Sequence, residues 1–140
     1  MAGSVITFAR RTLGPVHRIE VEWTSDDTTG AVSGTSAFNV FGRLLRAVTV
    51  PSGTAAPSAD YDIALSDEES VDVLGACVGG LGDRHTSNTE SVELLLSNTD
   101  VSPLPIAEHP AMAGPLTVAI TNAGNSKAGT LILYVEPGVQ

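Results

Sequence analysis

Basic residues are scarce in this chain: 7 Lys and Arg stand against 16 Asp and Glu, for a formal net charge of −9. Such a surface repels phosphate backbones, which argues against DNA or RNA as a partner. Aromatics are scarce too. Three Phe, two Tyr and one Trp make up 4% of the residues, so the core must be built mainly from Val, Leu, Ile and Ala. A sugar-stacking platform then has few candidates beyond Trp23, Tyr61 and Tyr134. Cys77 is the single cysteine, so no intrachain disulfide can form. It reads as a small buried apolar residue, with an intermolecular bridge or a reactive thiol as the other readings. No apolar run approaches the roughly 18 residues of a membrane helix. The opening stretch MAGSVITFARRTLGPV has neither a basic start nor a long apolar run after it, so it does not read as a signal peptide. A protein kept soluble in a cytoplasm, or assembled there into something larger, is expected.

What is present is period two. In VHRIEVEWT, Ile19, Val21 and Trp23 alternate with Arg18, Glu20 and Glu22, the pattern of a half-buried antiparallel strand. YDIAL alternates likewise, with Tyr61, Ile63 and Leu65 inward and Asp62 outward. LTVAI and TLILYVE are strand-like, and the Asn- and Gly-rich TNAGNSKAG between them suits a hairpin connection. VFGRLLRAVTV suggests a helical turn that becomes a strand ending at Pro51. Further strands are expected near Val5–Arg10, Val71–Leu74 and Ser91–Leu96. Fourteen Gly and 8 Pro cluster in SDDTTGAVSGTS, PSGTAAPSAD and SPLPIAEHPAMAGP, which punctuate the strands with turns. GACVGGLGDRHTSNTE is too Gly-rich for a stable strand and reads as a loop over the sheet end, with one helical turn near SNTES. The expected fold is a single all-β domain spanning 1–140, an antiparallel β-sandwich or jelly roll of about eight strands with long Pro/Gly-rich loops. Its N-terminal segment (about 1–15) and C-terminal tail are apolar enough to be held in assembly contacts.

Catalytic and metal chemistry find little footing. YDIALSDEESVDVLG is rich in carboxylates: Asp62, Asp67, Glu68, Glu69 and Asp72, with Asp60 just upstream. It lacks the Gly and the distant Glu of a calcium loop. It reads instead as a hairpin with Ile63, Leu65, Val71 and Val73 buried and Asp67, Glu68 and Glu69 at an exposed tip; a structural cation is the rival. His17, His85 and His109 share no metal-ligand spacing. GGLGDR lacks the ending of a phosphate loop, and no Gly-x-Ser-x-Gly elbow is present. No enzymatic activity, cofactor or metal is expected. SPLPIAEHPAMAGP cannot be a central strand. With its apolar Leu104, Ile106 and Met112 it must cover the domain's own sheet or lie on a neighbour.

IEVEWTSDDTTGAVSG, GRLLRAVTVPSGTAAPSADYDIALSDEESVDVLG, GDRHTSNTE and GPLTVAITNAGNSKAGTLILYVE follow one another across most of residues 19 to 136. In that order and spacing they resemble a family of small β-rich virion structural proteins of tailed bacteriophages, most like capsid decoration (cement) proteins. The resemblance implies a homotrimer on the capsid surface, bridging subunits of the major capsid protein, assembled in the host cytoplasm and bound to neither nucleic acid nor membrane. It implies no catalytic residue. A neck, tail or baseplate component is the first alternative, and a ligand- or carbohydrate-binding β-sandwich module the second. Because arginine is favoured at protein interfaces, Arg10, Arg11, Arg43, Arg46 and Arg84 are the candidate capsid or oligomer contacts.

Overall fold

The structure is a computed structural model that describes residues 4–59, 61–67, 90–93, 96–97, 107–108 and 111–137. Among the described residues there are eleven strands: β1 (Val5–Leu13), β2 (Val16–Thr24), β3 (Val32–Asn39), β4 (Gly42–Pro51), β5 (Asp62–Ser66), β6 (Glu90–Glu93), β7 (Leu96–Ser97), β8 (Ala107–Glu108), β9 (Ala111–Met112), β10 (Pro115–Thr121) and β11 (Ala128–Pro137). No helix occurs among the described residues. All ladders are antiparallel. The larger sheet has the order β1-β2-β11-β4-β6, with β9 also on β4; the smaller is β3-β10-β5, and β7 pairs β8.

Alternating side chains explain where the core sits. Ile19, Val21 and Trp23 of β2 are buried, as are Leu131, Leu133 and Val135 of β11. From the smaller sheet come Ile63 and Leu65 of β5 and Leu116, Val118 and Ile120 of β10, and both sets join one apolar cluster. A fully buried side chain of this size contributes about 1.5–3 kcal/mol, so these alternating faces dominate the stability. Trp23 and Tyr61 meet within the core at a ring separation of 5.6 Å and a tilt of 47°. At one rim, β1 lies directly on β3. A Cβ at Gly34 would stand only 2.3 Å from Ile6 Cγ2, so the absence of a side chain there lets the two strands approach. Ser36 mends an irregularity in the β3–β10 ladder. Its hydroxyl accepts the Leu116 N–H (3.0 Å) and donates to the Phe38 carbonyl (2.6 Å).

Two expectations need revision. The LTVAI and TLILYVE strands do not form a hairpin: β10 lies in the smaller sheet and β11 in the larger. TNAGNSKAG turns the chain from one sheet to the other. Asn122, Gly124 and Ser126 take positive φ there, and the buried Ser25 hydroxyl bridges the Lys127 N–H and the Gly124 carbonyl. Turn-forming residues specify a reversal, not which sheet receives the next strand. The longer-range partners β2 and β4 flank β11 instead. VFGRLLRAVTV holds no helical turn; β4 is extended from Gly42 onward. Of SNTES only Glu90 and Ser91 are described, and they begin β6; the rest of the expected turn lies outside the described residues.

Other expectations are met within the described residues. The strand near Val5 is present, and those near Val16 and Tyr61 are present with the inward faces expected. Met112 is buried, so this end of the Pro-rich segment covers the domain's own sheet. Asp67 is half-buried instead of exposed. Glu68, Glu69, the return strand with Val71 and Val73, Cys77, His85 and His109 lie outside the described residues.

Candidate interaction surface

The outer face of the larger sheet is where the arginines gather. Register places Arg11 of β1 opposite Arg18 of β2, Arg18 opposite Tyr134 of β11, and Tyr134 opposite Arg46 of β4. This row crosses three strand spacings, about 14 Å. It ends at β6, where Arg46 pairs in register with Glu93.

A bulge brings in Arg43. The β4–β11 register shifts between Tyr134 and Val135, so that Leu44 faces Val135 and Arg46 faces Tyr134, with Leu45 as the extra residue. In an unbroken strand, positions 43 and 46 would point to opposite faces. With the extra residue absorbed, Arg43 and Arg46 are both exposed while Leu44 and Ala47 are both buried. The spacing of three that looks helical in GRLLRA is the signature of this bulge. Gly42 fixes its start: φ is +147°, and a Cβ there would lie 2.0 Å from the Glu136 carbonyl oxygen.

Local contacts order the side chains. The Arg46 guanidinium stacks over the Tyr134 ring at 4.6 Å, a cation–π contact. Arg18 donates to the Glu20 carboxylate at 2.7 Å. That bond holds the Glu20 carboxyl below its ordinary value and raises Arg18. Burial pushes the Tyr134 phenol up, but Arg18 and Arg46 on either side outweigh it and leave it below the ordinary tyrosine value. Arg11 and Arg43 form no ion pair among the described residues. Half-buried Ile132 and Val48 continue the face beside the row.

Of the sequence-derived candidates, the structure brings together Arg11, Arg43 and Arg46. Arg10 points to the other side of β1. It donates to the Asn39 carbonyl at 2.9 Å and stacks over Phe38 at 4.7 Å, tying β1 to the end of β3. Arg84 lies outside the described residues. Sequence reasoning missed Arg18 and Tyr134. Arg18 looked like one more wet residue of β2, and nothing local links it to a tyrosine more than a hundred positions away.

Elsewhere the surface offers less. A cleft of about 370 Å³ is lined by Ser4, Asp26, Thr29, Ser33 and Thr121. Its carboxylate is spent on the local turn, accepting the N–H groups of Thr28 and Thr29 at 2.8 and 3.0 Å. These bonds hold Asp26 below its ordinary value. Among the described residues no three His, Cys, Asp or Glu side chains come together as metal ligands, and no helix is long and apolar enough to cross a membrane. Comparison with family models, curated proteins and solved structures finds no match for the chain.

Proposed function

We propose that this chain is a virion structural protein of a tailed bacteriophage, a β-sandwich or jelly-roll decoration (cement) protein that binds the capsid surface as a homotrimer and bridges major capsid subunits. The observation that carries the reading is the outer face of the larger sheet. Of the chain's 7 Lys and Arg in a total charge of −9, Arg11, Arg18, Arg43 and Arg46 share this one face. The face is a broad, strand-built surface with arginine, tyrosine and half-buried aliphatics, the composition of a protein interface. The resemblance of the motif order to small phage virion proteins, read from the sequence alone, suggests the biological setting.

A ligand-binding module fits less well. Trp23 is 3% exposed and Tyr61 1% exposed, so two of the three candidate stacking rings belong to the core, and the third lies beneath Arg46. A neck or tail location would use the same face on a different lattice. The test is cosedimentation with decoration-free capsids assembled from the major capsid protein of the tailed phage that carries this chain. Saturable binding at a fixed ratio per capsid subunit supports the reading, and absence of binding to the lattice overturns it. Analytical ultracentrifugation at micromolar concentration should give a trimer; a clean monomer there removes the stable-trimer part of the proposal.

A further inference from the structure

Arg11 and Arg18 sit directly opposite each other on paired strands. Like charges in that position repel each other, and an anion between or above them relieves that repulsion. Glu20 answers part of this charge, through one guanidinium nitrogen of Arg18 and a weaker attraction to Arg11. Arg43 and Arg11 remain without an ion pair among the described residues. Arg46 is held flat on Tyr134. Because its planar fork is already positioned there, less entropy is lost when it captures a carboxylate.

We infer that the row Arg11–Arg18–Tyr134–Arg46, with Arg43 beside it, is a docking surface for a carboxylate-bearing segment of a protein partner. Charge complementarity selects the chemistry. The row is a short cationic strip, about 14 Å long by strand spacing, bordered by Glu20 and Glu22, by Glu136 opposite Arg43 and, at the β6 edge, by Glu93 opposite Arg46. A polyphosphate backbone would extend beyond the strip and meet those carboxylates and the −9 body. A protein segment can place a few carboxylates on the strip and its apolar side chains on Ile132 and Val48. The inference rests on the proposed function only for the identity of the partner: on the capsid reading, the segment belongs to the major capsid protein.

The test uses the full chain and a fluorescein-labelled peptide of alternating glutamate and valine, about five residues and roughly 17 Å when extended, so that it matches the strip. Fluorescence anisotropy at about 50 mM and about 300 mM salt should show binding that weakens at the higher salt as screening shortens. The double variant Arg11→Gln/Arg46→Gln should bind about tenfold more weakly or worse. Lys127→Gln, away from this face, should bind like the parent. Circular dichroism spectra that match the parent's confirm that the variants are folded. No binding at low salt, unchanged binding by the double variant, or tighter binding to a single-stranded oligonucleotide of matched charge overturns the inference. Peptide binding without capsid binding overturns only the capsid reading. Capsid binding that survives the double variant overturns only the assignment of this surface.

Discussion

Leu44 and Leu45 are adjacent and identical, so deleting either yields one and the same chain, and the bulge in β4 fixes what that chain should do. With one leucine gone, plain alternation keeps Arg43 outward, the remaining leucine inward and Arg46 outward. The loss is the half-buried Leu45 side chain. Half of the ~1.5–3 kcal/mol for a fully buried leucine is about 1 kcal/mol. Deleting Val48 from the same strand opens a gap on the far side of Arg46 from the bulge. The residues between the gap and the bulge then slip by one, bringing buried Ala47 to the solvent face and Arg46 to the core, before the bulge can restore the register at Leu44. An unpaired arginine in the core costs several kcal/mol, comparable with the whole stability of a domain, about 5–15 kcal/mol. Thermal unfolding followed by circular dichroism measures both. The leucine deletion should retain a cooperative transition lowered by about 2–8 °C, and the valine deletion should have none. If the leucine deletion abolishes the transition as well, Leu45 is not the bulged residue and the argument for a shared arginine face fails.

Two further outcomes follow from single side chains. Thr49 is 1% exposed and its hydroxyl has no hydrogen-bond partner among the described residues; Thr49→Val removes an unsatisfied group at nearly constant shape and should raise stability by about 1 kcal/mol in urea unfolding, whereas a loss would reveal a partner for that hydroxyl. Glu20 has its carboxyl lowered by Arg18, so the unfolded chain binds the extra proton and the ion pair's contribution is complete above the ordinary carboxyl value of 4.5. That contribution is lost as pH falls below it. Glu20→Gln should therefore cost less than about 1 kcal/mol at neutral pH and match the parent in acid, as denaturation at a series of pH values would show.

The inward faces of β2 and β5 were legible because each rests on local period-two alternation. Ile19, Val21 and Trp23 could be assigned to the core before any partner strand was known. Pairing was not legible. β10 and β11 were read as neighbours because Asn and Gly mark a reversal, yet the partners of β11 are β2, more than a hundred residues away, and β4. The arginine face failed to appear for the same reason, since Arg18 and Tyr134 meet only across that pairing. GRLLRA misled in a more instructive way. Its buried and exposed residues recur at a spacing of three, which suits a helix, but a single bulge in a strand produces the same spacing. Arg10 and Arg11 could not be told apart from composition, although adjacent strand positions must face opposite ways. Arg10 anchors a strand, and Arg11 joins the outer face.

Electron cryomicroscopy of decoration-free capsids incubated with the protein tests the central claim most directly. The account predicts trimeric density on the capsid exterior, with the sheet face that carries Arg11, Arg43 and Arg46 turned toward the major capsid protein. Bare capsids at saturating protein, or bound protein with that face turned to solvent, would contradict it.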